Sequence, residues 1–247
     1  MIIKLIDWNA WAPGLDCQEK WIDWFQAPTV ISSDEKAPVK FIAPMIRRRL
    51  SPLGRAVVES IHPLYQADRD QDIPLIFASR WGDIGLTEKL LKSFTQEGET
   101  SPTAFSTSVH NAIGGLFSII FHHHGNISAL SGGAATASAA MYEAMGLLTQ
   151  YKEVIVTIYD DKSPQSFQAY HPANFPFAFS LKLGRALSHE AGFTISSSAI
   201  DTFSDTNDTL EELGALRFLA LKETQWQQSS LQTAYDWKKV DPKSSIQ

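Results

Sequence analysis

The chain has 247 residues, of which 44% are hydrophobic and 19% charged, so it can fill a sizeable core and is not a disordered polymer. Its net charge of −6 makes it a poor nucleic-acid binder, and its single cysteine, Cys17, excludes an intrachain disulfide and fits a reducing compartment. The first residues, Met1 to Trp8, form too short an apolar run for a signal peptide, and no stretch approaches the roughly 20 apolar residues of a membrane span, so a cytoplasmic α/β protein is expected.

Ile2–Ile6 reads as a short buried strand, and Glu19–Gln26 as a helix with Trp21, Trp24 and Phe25 on one side. Pro28–Pro44 has no period and reads as an irregular crossing. Ser51 then caps a helix that opens with Pro52, presents Leu53, Val57, Val58 and Ile61, and stops at Pro63. Ile73–Ser79 is an apolar run fit for a strand buried on both faces. A helix over Asp83–Glu97 follows, then a small-residue helical region from Ser101-Pro102 to about His123, stopped by Gly125. Ile127–Leu130 reads as a brief strand, Thr136–Gln150 as an alanine-rich helix and Val154–Tyr159 as a second strong strand. Phe175–Leu183 and Phe193–Ser197 alternate as antiparallel strands do, and Thr209–Leu221 reads as a helix. The remainder, Trp226–Gln247, is a polar tail with Trp237 a candidate for docking. Strands alternating with helices predict an α/β layered fold.

The turn Ser131-Gly132-Gly133-Ala134 lies between a strand and a helix, where a nucleophile or a phosphate cradle would meet the positive end of the helix. It lacks the G-x-G-x-x-G, P-loop and G-x-S-x-G patterns. From residue types alone it is a tight turn that two glycines make for packing.

Around that turn, three segments stand in order: Ser101-Pro102-Thr103-Ala104-Phe105, Val109-His110-Asn111-Ala112-Ile113-Gly114-Gly115, and Ile127-Ser128-Ala129-Leu130-Ser131-Gly132-Gly133-Ala134. This run resembles the centre of β-ketoacyl synthases, in which a strand delivers a T-A-C-[AS]-S turn holding the catalytic cysteine. Arg47-Arg48-Arg49-Leu50-Ser51 is similar to the family's R-R-M-x-R stretch. Phe77-Ala78-Ser79-Arg80-Trp81-Gly82 together with Ser101–Ser106 narrows the resemblance to chain-length-factor-like proteins of aryl polyene gene clusters. It spans about 44–159.

The resemblance implies an α/β layered, thiolase-like half-fold, with a mixed sheet flanked by helices. It implies one truncated β-ketoacyl-synthase-like domain over 1–247. Aligned on the turn, Gly133 takes the place of the nucleophile, so no catalytic residue is expected. The family's H-G-T-G-T and N-x-F-G-F-G-G segments, which belong to its C-terminal half, do not occur. The expected role is therefore a non-catalytic subunit that pairs with a full-length β-ketoacyl synthase and reaches the acyl carrier protein through that complex. No cofactor, metal, nucleic acid or membrane span is expected.

In the family, the strand before the nucleophile pairs across the dimer axis, and the helix before it reaches the partner's acyl tunnel. Carried over, Ile127, Ser128, Ala129 and Leu130 would pair with a partner strand. Thr103, Ala104, Phe105, Ser108, Asn111 and Ala112 would border the tunnel. Half of such a fold is also expected to leave a sheet face or edge poorly covered. A stand-alone acyltransferase or hydrolase using Ser131, or a purely structural partner, are the other readings. His122-His123-His124 reads as a solvated helix end rather than a metal site, because consecutive helical residues diverge by about 100°. Arg47-Arg48-Arg49 reads as surface or interface salt bridging, or as a receptor for an acidic carrier protein.

Overall fold

The computed structural model describes residues 1–31, 35–66, 72–169, 174–205 and 212–242. Among the described residues, seven strands form one mixed sheet in the order β3-β2-β4-β5-β1-β6-β7. They are β1 (Ile3–Trp11), β2 (Leu75–Ala78), β3 (Ile127–Leu130), β4 (Glu153–Asp160), β5 (Phe177–Arg185), β6 (Gly192–Asp205) and β7 (Gln225–Val240). The helices are α1 (Gln18–Gln26), α2 (Pro44–Arg47), α3 (Pro52–Ile61), α4 (Ile84–Glu97), α5 (Pro102–Ser108), α6 (Ala112–Phe121), α7 (Thr136–Leu147) and α8 (Gly214–Ala220).

The strands β3, β2 and β4 are parallel, and every other pairing is antiparallel. Alternation along the central strands divides the core into two layers. Ile76, Ala78, Val154, Val156 and Ile158 pack with α1, α7 and α8 on one face. Leu75, Phe77, Ile155 and Tyr159 pack with α3 and α6 on the other. The expected uncovered sheet face is therefore filled by the chain's own helices. Gly114 on α6 allows a close approach to β2, since a Cβ there would lie 2.9 Å from the Phe77 ring.

Several boundaries follow from side-chain chemistry. The Ser51 hydroxyl accepts a hydrogen bond from the Gly54 N–H, with Pro52 in the first turn, and Asp83 accepts from the Leu86 N–H at the start of α4. The helical region expected from Ser101 to His123 is instead two helices, α5 and α6, bent by 96° at Val109–Asn111. Val109 is extended (φ −66°, ψ 149°) and ends α5. The helix α6 stops at Phe121 with His122 left-handed, before the expected stop at Gly125. There His123 turns inward and its Nδ1 lies 3.1 Å from Tyr65 Oη. Only His122 and His124 fit the expected solvated end, and His123 is buried.

The polar tail is a 16-residue strand, β7, with Trp237 fully buried against Phe193, Phe218 and Trp226. Its buried positions, Gln228, Ser230, Ala234 and Trp237, do not share one parity, and Leu231 has φ +54°. No alternation of period two was therefore visible there. The strand at Phe193–Ser197 is likewise longer, and of the helix expected over Thr209–Leu221 the structure shows α8 (Gly214–Ala220), while Thr209, Leu210 and Glu211 lie outside the described residues.

Candidate functional site: the turn after β3 and the free edge beside it

The parallel strands β2, β3 and β4 end together, and the turn that links β3 to α7 sits at their carboxyl ends, where open α/β sheets place their sites. Leu130 O accepts hydrogen bonds from the Ser79 N–H (3.2 Å) and from His110 Nε2 (2.9 Å). The next residue, Ser131, donates its hydroxyl to Arg80 O at 3.2 Å. The Gly132 N–H donates to Thr136 Oγ1, and that hydroxyl donates to Gly133 O at 2.7 Å. The turn is thus fixed from both sides.

The two glycines differ in what they require. A Cβ on Gly132 would lie 2.7 Å from Ala139 Cβ and 3.1 Å from Ala135 O, so no side chain fits. Gly133 has φ +60°, and a Cβ there meets nothing within 4 Å. The site retains space for a side chain at the start of α7, and no side chain is there. Ser131 is a poor nucleophile in this setting. Its hydroxyl is committed to a carbonyl, which takes no proton, and the neighbouring His110 is engaged through Nε2 with Leu130 O.

Gln228 closes the far side of the turn. Its Nε2 donates to Ala134 O (2.7 Å), and its Oε1 accepts from Ser138 Oγ (2.7 Å) and Ser138 N–H (3.4 Å). Trp237 Nε1 also donates to Ser138 Oγ, at 3.0 Å. Behind the turn, Asp160 Oδ1 accepts from Ser79 Oγ (2.7 Å) and the Trp81 N–H (2.9 Å), and Oδ2 accepts from the Arg80 N–H (3.1 Å). Glu212 contacts Asp160 from the α8 side. Sequence reasoning missed Gln228 and Glu212 because both lie where the family pattern fades. A weak signal for Asp160 existed, since Asp160-Asp161 ends an otherwise apolar strand.

The strand β3 is a sheet edge. Asn126 O and Leu130 O face β2, which leaves the N–H and C=O groups of Ile127 and Ala129 on the open side. All four β3 residues are half-buried. The other expected interface residues lie on α5 and at the start of α6. Thr103, Phe105 and Asn111 are exposed, and Ala104, Ser108 and Ala112 are half-buried. Phe105 is 59% and Ile119 66% exposed, and Leu91, Phe94 and Val109 are exposed as well. Ile127–Leu130 thus form a sheet edge, and the remaining expected residues lie on helices that run from α4 through α5 to α6 and leave apolar side chains uncovered.

Arg48 and Arg49 are exposed, and Arg47 donates to Pro38 O at 3.2 Å. Among the described residues, these arginines make no ion pair of the kind expected. Among the described residues, too, no three His, Cys, Asp or Glu side chains converge as metal ligands would, and no single helix is long and apolar enough to cross a membrane.

A mixed sheet between helical layers, with a strand–turn–helix at the ends of its parallel strands, defines a thiolase-like, ketosynthase-type fold. The chain belongs to the β-ketoacyl synthase N-terminal domain family, whose model matches residues 21–238. No curated protein matches the sequence. The chain is similar in structure to one from a ketosynthase (ApeO) in complex with its chain length factor (ApeC) from Xenorhabdus doucetiae. That match has a TM-score of 0.80 and 24% identity, and it covers 96% of this chain and 99% of that one. It is also similar to the ishigamide ketosynthase/chain length factor, with a TM-score of 0.65, 13% identity, and coverage of 81% of this chain and 68% of that one. A third similar chain comes from AntDE:AntF, a type II acyl-carrier protein in complex with its ketosynthase. Its TM-score is 0.64 at 12% identity, over 97% of this chain and 99% of that one. At these identities the likeness establishes the fold.

Proposed function

We propose that this chain is a non-catalytic, chain-length-factor-like subunit that pairs with a full-length β-ketoacyl synthase in the cytoplasm. Through the free edge of β3 and the α5–α6 flank it borders the partner's acyl tunnel during aryl polyene chain elongation. The acyl carrier protein delivers its cargo to the complex, and the chain itself acts as a single ketosynthase-like unit.

The observation that carries this reading is Gly133. It stands at the head of α7 with φ +60° and open space where a side chain would go, beside a strand whose outer edge is unpaired among the described residues. A condensing enzyme needs a thiolate there to hold the acyl chain. The commitment of the Ser131 hydroxyl to Arg80 O weighs against the reading as a stand-alone acyltransferase. Two of the similar structures are described as ketosynthase and chain length factor pairs, which supports the same partner class.

Co-expression with a full-length β-ketoacyl synthase tests the proposal. The expected outcome is a stable heterodimer whose product length changes when Ala104 or Ser108 is enlarged. A chain that purifies as a monomer beside the ketosynthase and leaves its activity unchanged would overturn it. A pairing that survives with product length unaltered would reduce the role to a structural partner.

A further inference from the structure

Behind the turn, two buried carboxyl groups meet that the proposed tunnel does not use. Asp160 ends β4 and is 1% exposed, while Glu212, just before α8, is 5% exposed. Their carboxyl groups face each other closely enough to interact directly. Two carboxyl groups in such contact inside a protein do not both ionise.

The geometry decides which one holds the proton. Asp160 accepts from the Ser79 hydroxyl and from the N–H groups of Arg80 and Trp81, and this donor set fits a carboxylate. Among the described residues Glu212 has no comparable set, and its Oε2 is buried without a hydrogen-bond partner there. A bare buried oxygen is tolerable as the carbonyl of a neutral acid. On a carboxylate it would be far more costly.

We propose that Glu212, as a neutral carboxylic acid donating to the Asp160 carboxylate, is a proton-dependent latch that fastens the α8 end of the chain to the loop Ser79–Gly82. That loop holds the end of β3, because the Ser79 N–H donates to Leu130 O and Arg80 O accepts from Ser131 Oγ. The same loop is closed internally by the Gly82 N–H donating to Ser79 Oγ at 2.7 Å. One proton therefore ties three parts of the chain together: α8, the carboxyl ends of β2 and β4, and the turn after the free edge strand. When the proton leaves, two anions face each other in a buried site and the α8 side is released.

Burial first, and the negative charge of Asp160 second, push Glu212 well above the ordinary carboxyl range, and Arg80 opposes the rise. The other titratable groups around Asp160 are Asp83, Asp161 and Tyr159, so the surroundings are rich in acids. The inference concerns the isolated chain and stands apart from the proposed partner.

The test is a pH titration of the full chain labelled with ¹³C at the glutamate carboxyl carbons, read by NMR. One glutamate is expected to remain protonated at neutral pH, and its signal to be missing from Glu212→Gln. If every glutamate carboxyl has titrated below about pH 6, the proposal is overturned. Hydrogen exchange of 212–221, corrected for the intrinsic rate, supplies the second readout. Protection is expected to fall at least about tenfold between pH 7 and pH 9 in the native chain. The amide of glutamine keeps a neutral donor, so Glu212→Gln should not show this fall. Unchanged protection in the native chain, or the same fall in the variant, overturns the latch.

Discussion

Gln228 and Ser138 lie 90 residues apart in sequence, and the Gln228 side-chain oxygen accepts the Ser138 hydroxyl proton at 2.7 Å. Through this contact the C-terminal strand closes over the first turns of α7. The same side chain donates to Ala134 O, so one glutamine satisfies a buried hydroxyl and a buried carbonyl together. Gln228→Ala removes both partners while leaving the groups buried. It is expected to lower stability by about 1–3 kcal/mol, read as a reduced denaturant midpoint with an unchanged slope.

The two glycines of the turn should respond differently to the same methyl group. Gly132→Ala drives a Cβ into Ala139 and the Ala135 carbonyl, an overpacking expected to cost about 1–3 kcal/mol. Gly133→Ala meets no neighbour and should cost only the left-handed backbone penalty, about 1–2 kcal/mol. Gly133→Cys should therefore fold and present a thiol at the start of α7 that reacts with alkylating agents. It should still fail to condense acyl chains alone, because the family's H-G-T-G-T and N-x-F-G-F-G-G segments do not occur in this sequence. Intact mass and a condensation assay on the purified variant check both statements.

The sheet core was legible because its strands are short, apolar and bounded by recognisable caps. Ser51 and Pro52 announced their helix by capping chemistry and a fixed φ at its first position, and β2 by four consecutive apolar residues. The identity of Gly133 as the telling position came from motif order, not from periodicity. What stayed hidden was set by long-range polar contacts. Gln228 and Glu212 are polar residues that a hydropathy reading assigns to the surface, and both are buried by partners far away in sequence. The break between α5 and α6 was hidden too. The run is uniformly rich in small and apolar residues, and no proline or glycine marks Val109–Asn111.

Asp161 provides a pH-dependent prediction of its own. Burial, reinforced by the charge of Asp83, raises its carboxyl from 3.8 to about 6. A carboxyl raised in the folded state adds stability in full below its unfolded value, and that stability is lost as pH rises through the folded one. The native chain should therefore lose stability between about pH 4 and pH 6 on this account. Asp161→Asn cannot titrate, and its side-chain oxygen can still accept the Lys162 N–H that Asp161 Oδ1 accepts at 2.8 Å. Relative to the native chain it should gain about 1–2 kcal/mol between pH 4 and pH 7, allowing for solvent screening. Thermal melts across that range would show the two curves converging at the acid end. Parallel curves would mean that Asp161 titrates normally.

Tunnel length should follow side-chain volume on α5. Ala104 and Ser108 are half-buried on a helix whose outer side chains are exposed in the isolated chain. With the partner in place, Ala104→Phe or Ser108→Phe should shorten the longest polyene by occupying tunnel space, at a cost in yield and with the heterodimer intact. Mass spectra of products from the co-expressed pair distinguish this from simple loss of assembly, which would remove all products together.

The free edge of β3 offers the sharpest separation between folding and pairing. The N–H of Ala129 points away from β2, because the β2-facing positions on this strand are those of Asn126, Ser128 and Leu130. Proline at an edge position whose N–H faces outward removes no bond from the existing ladder. Ala129→Pro should therefore leave the isolated chain folded, with its thermal midpoint changed little. The same substitution deletes a donor that a partner strand would need and puts a ring in its path. Heterodimer formation with the ketosynthase should fall by at least about tenfold, equivalent to roughly 1.4 kcal/mol. Ser128→Pro would instead remove an N–H that faces β2, and should destabilise the chain itself. If Ala129→Pro pairs as well as the native chain, the partner does not bind through the β3 edge, and the interface must be sought on the exposed flank of α4 and α5 alone.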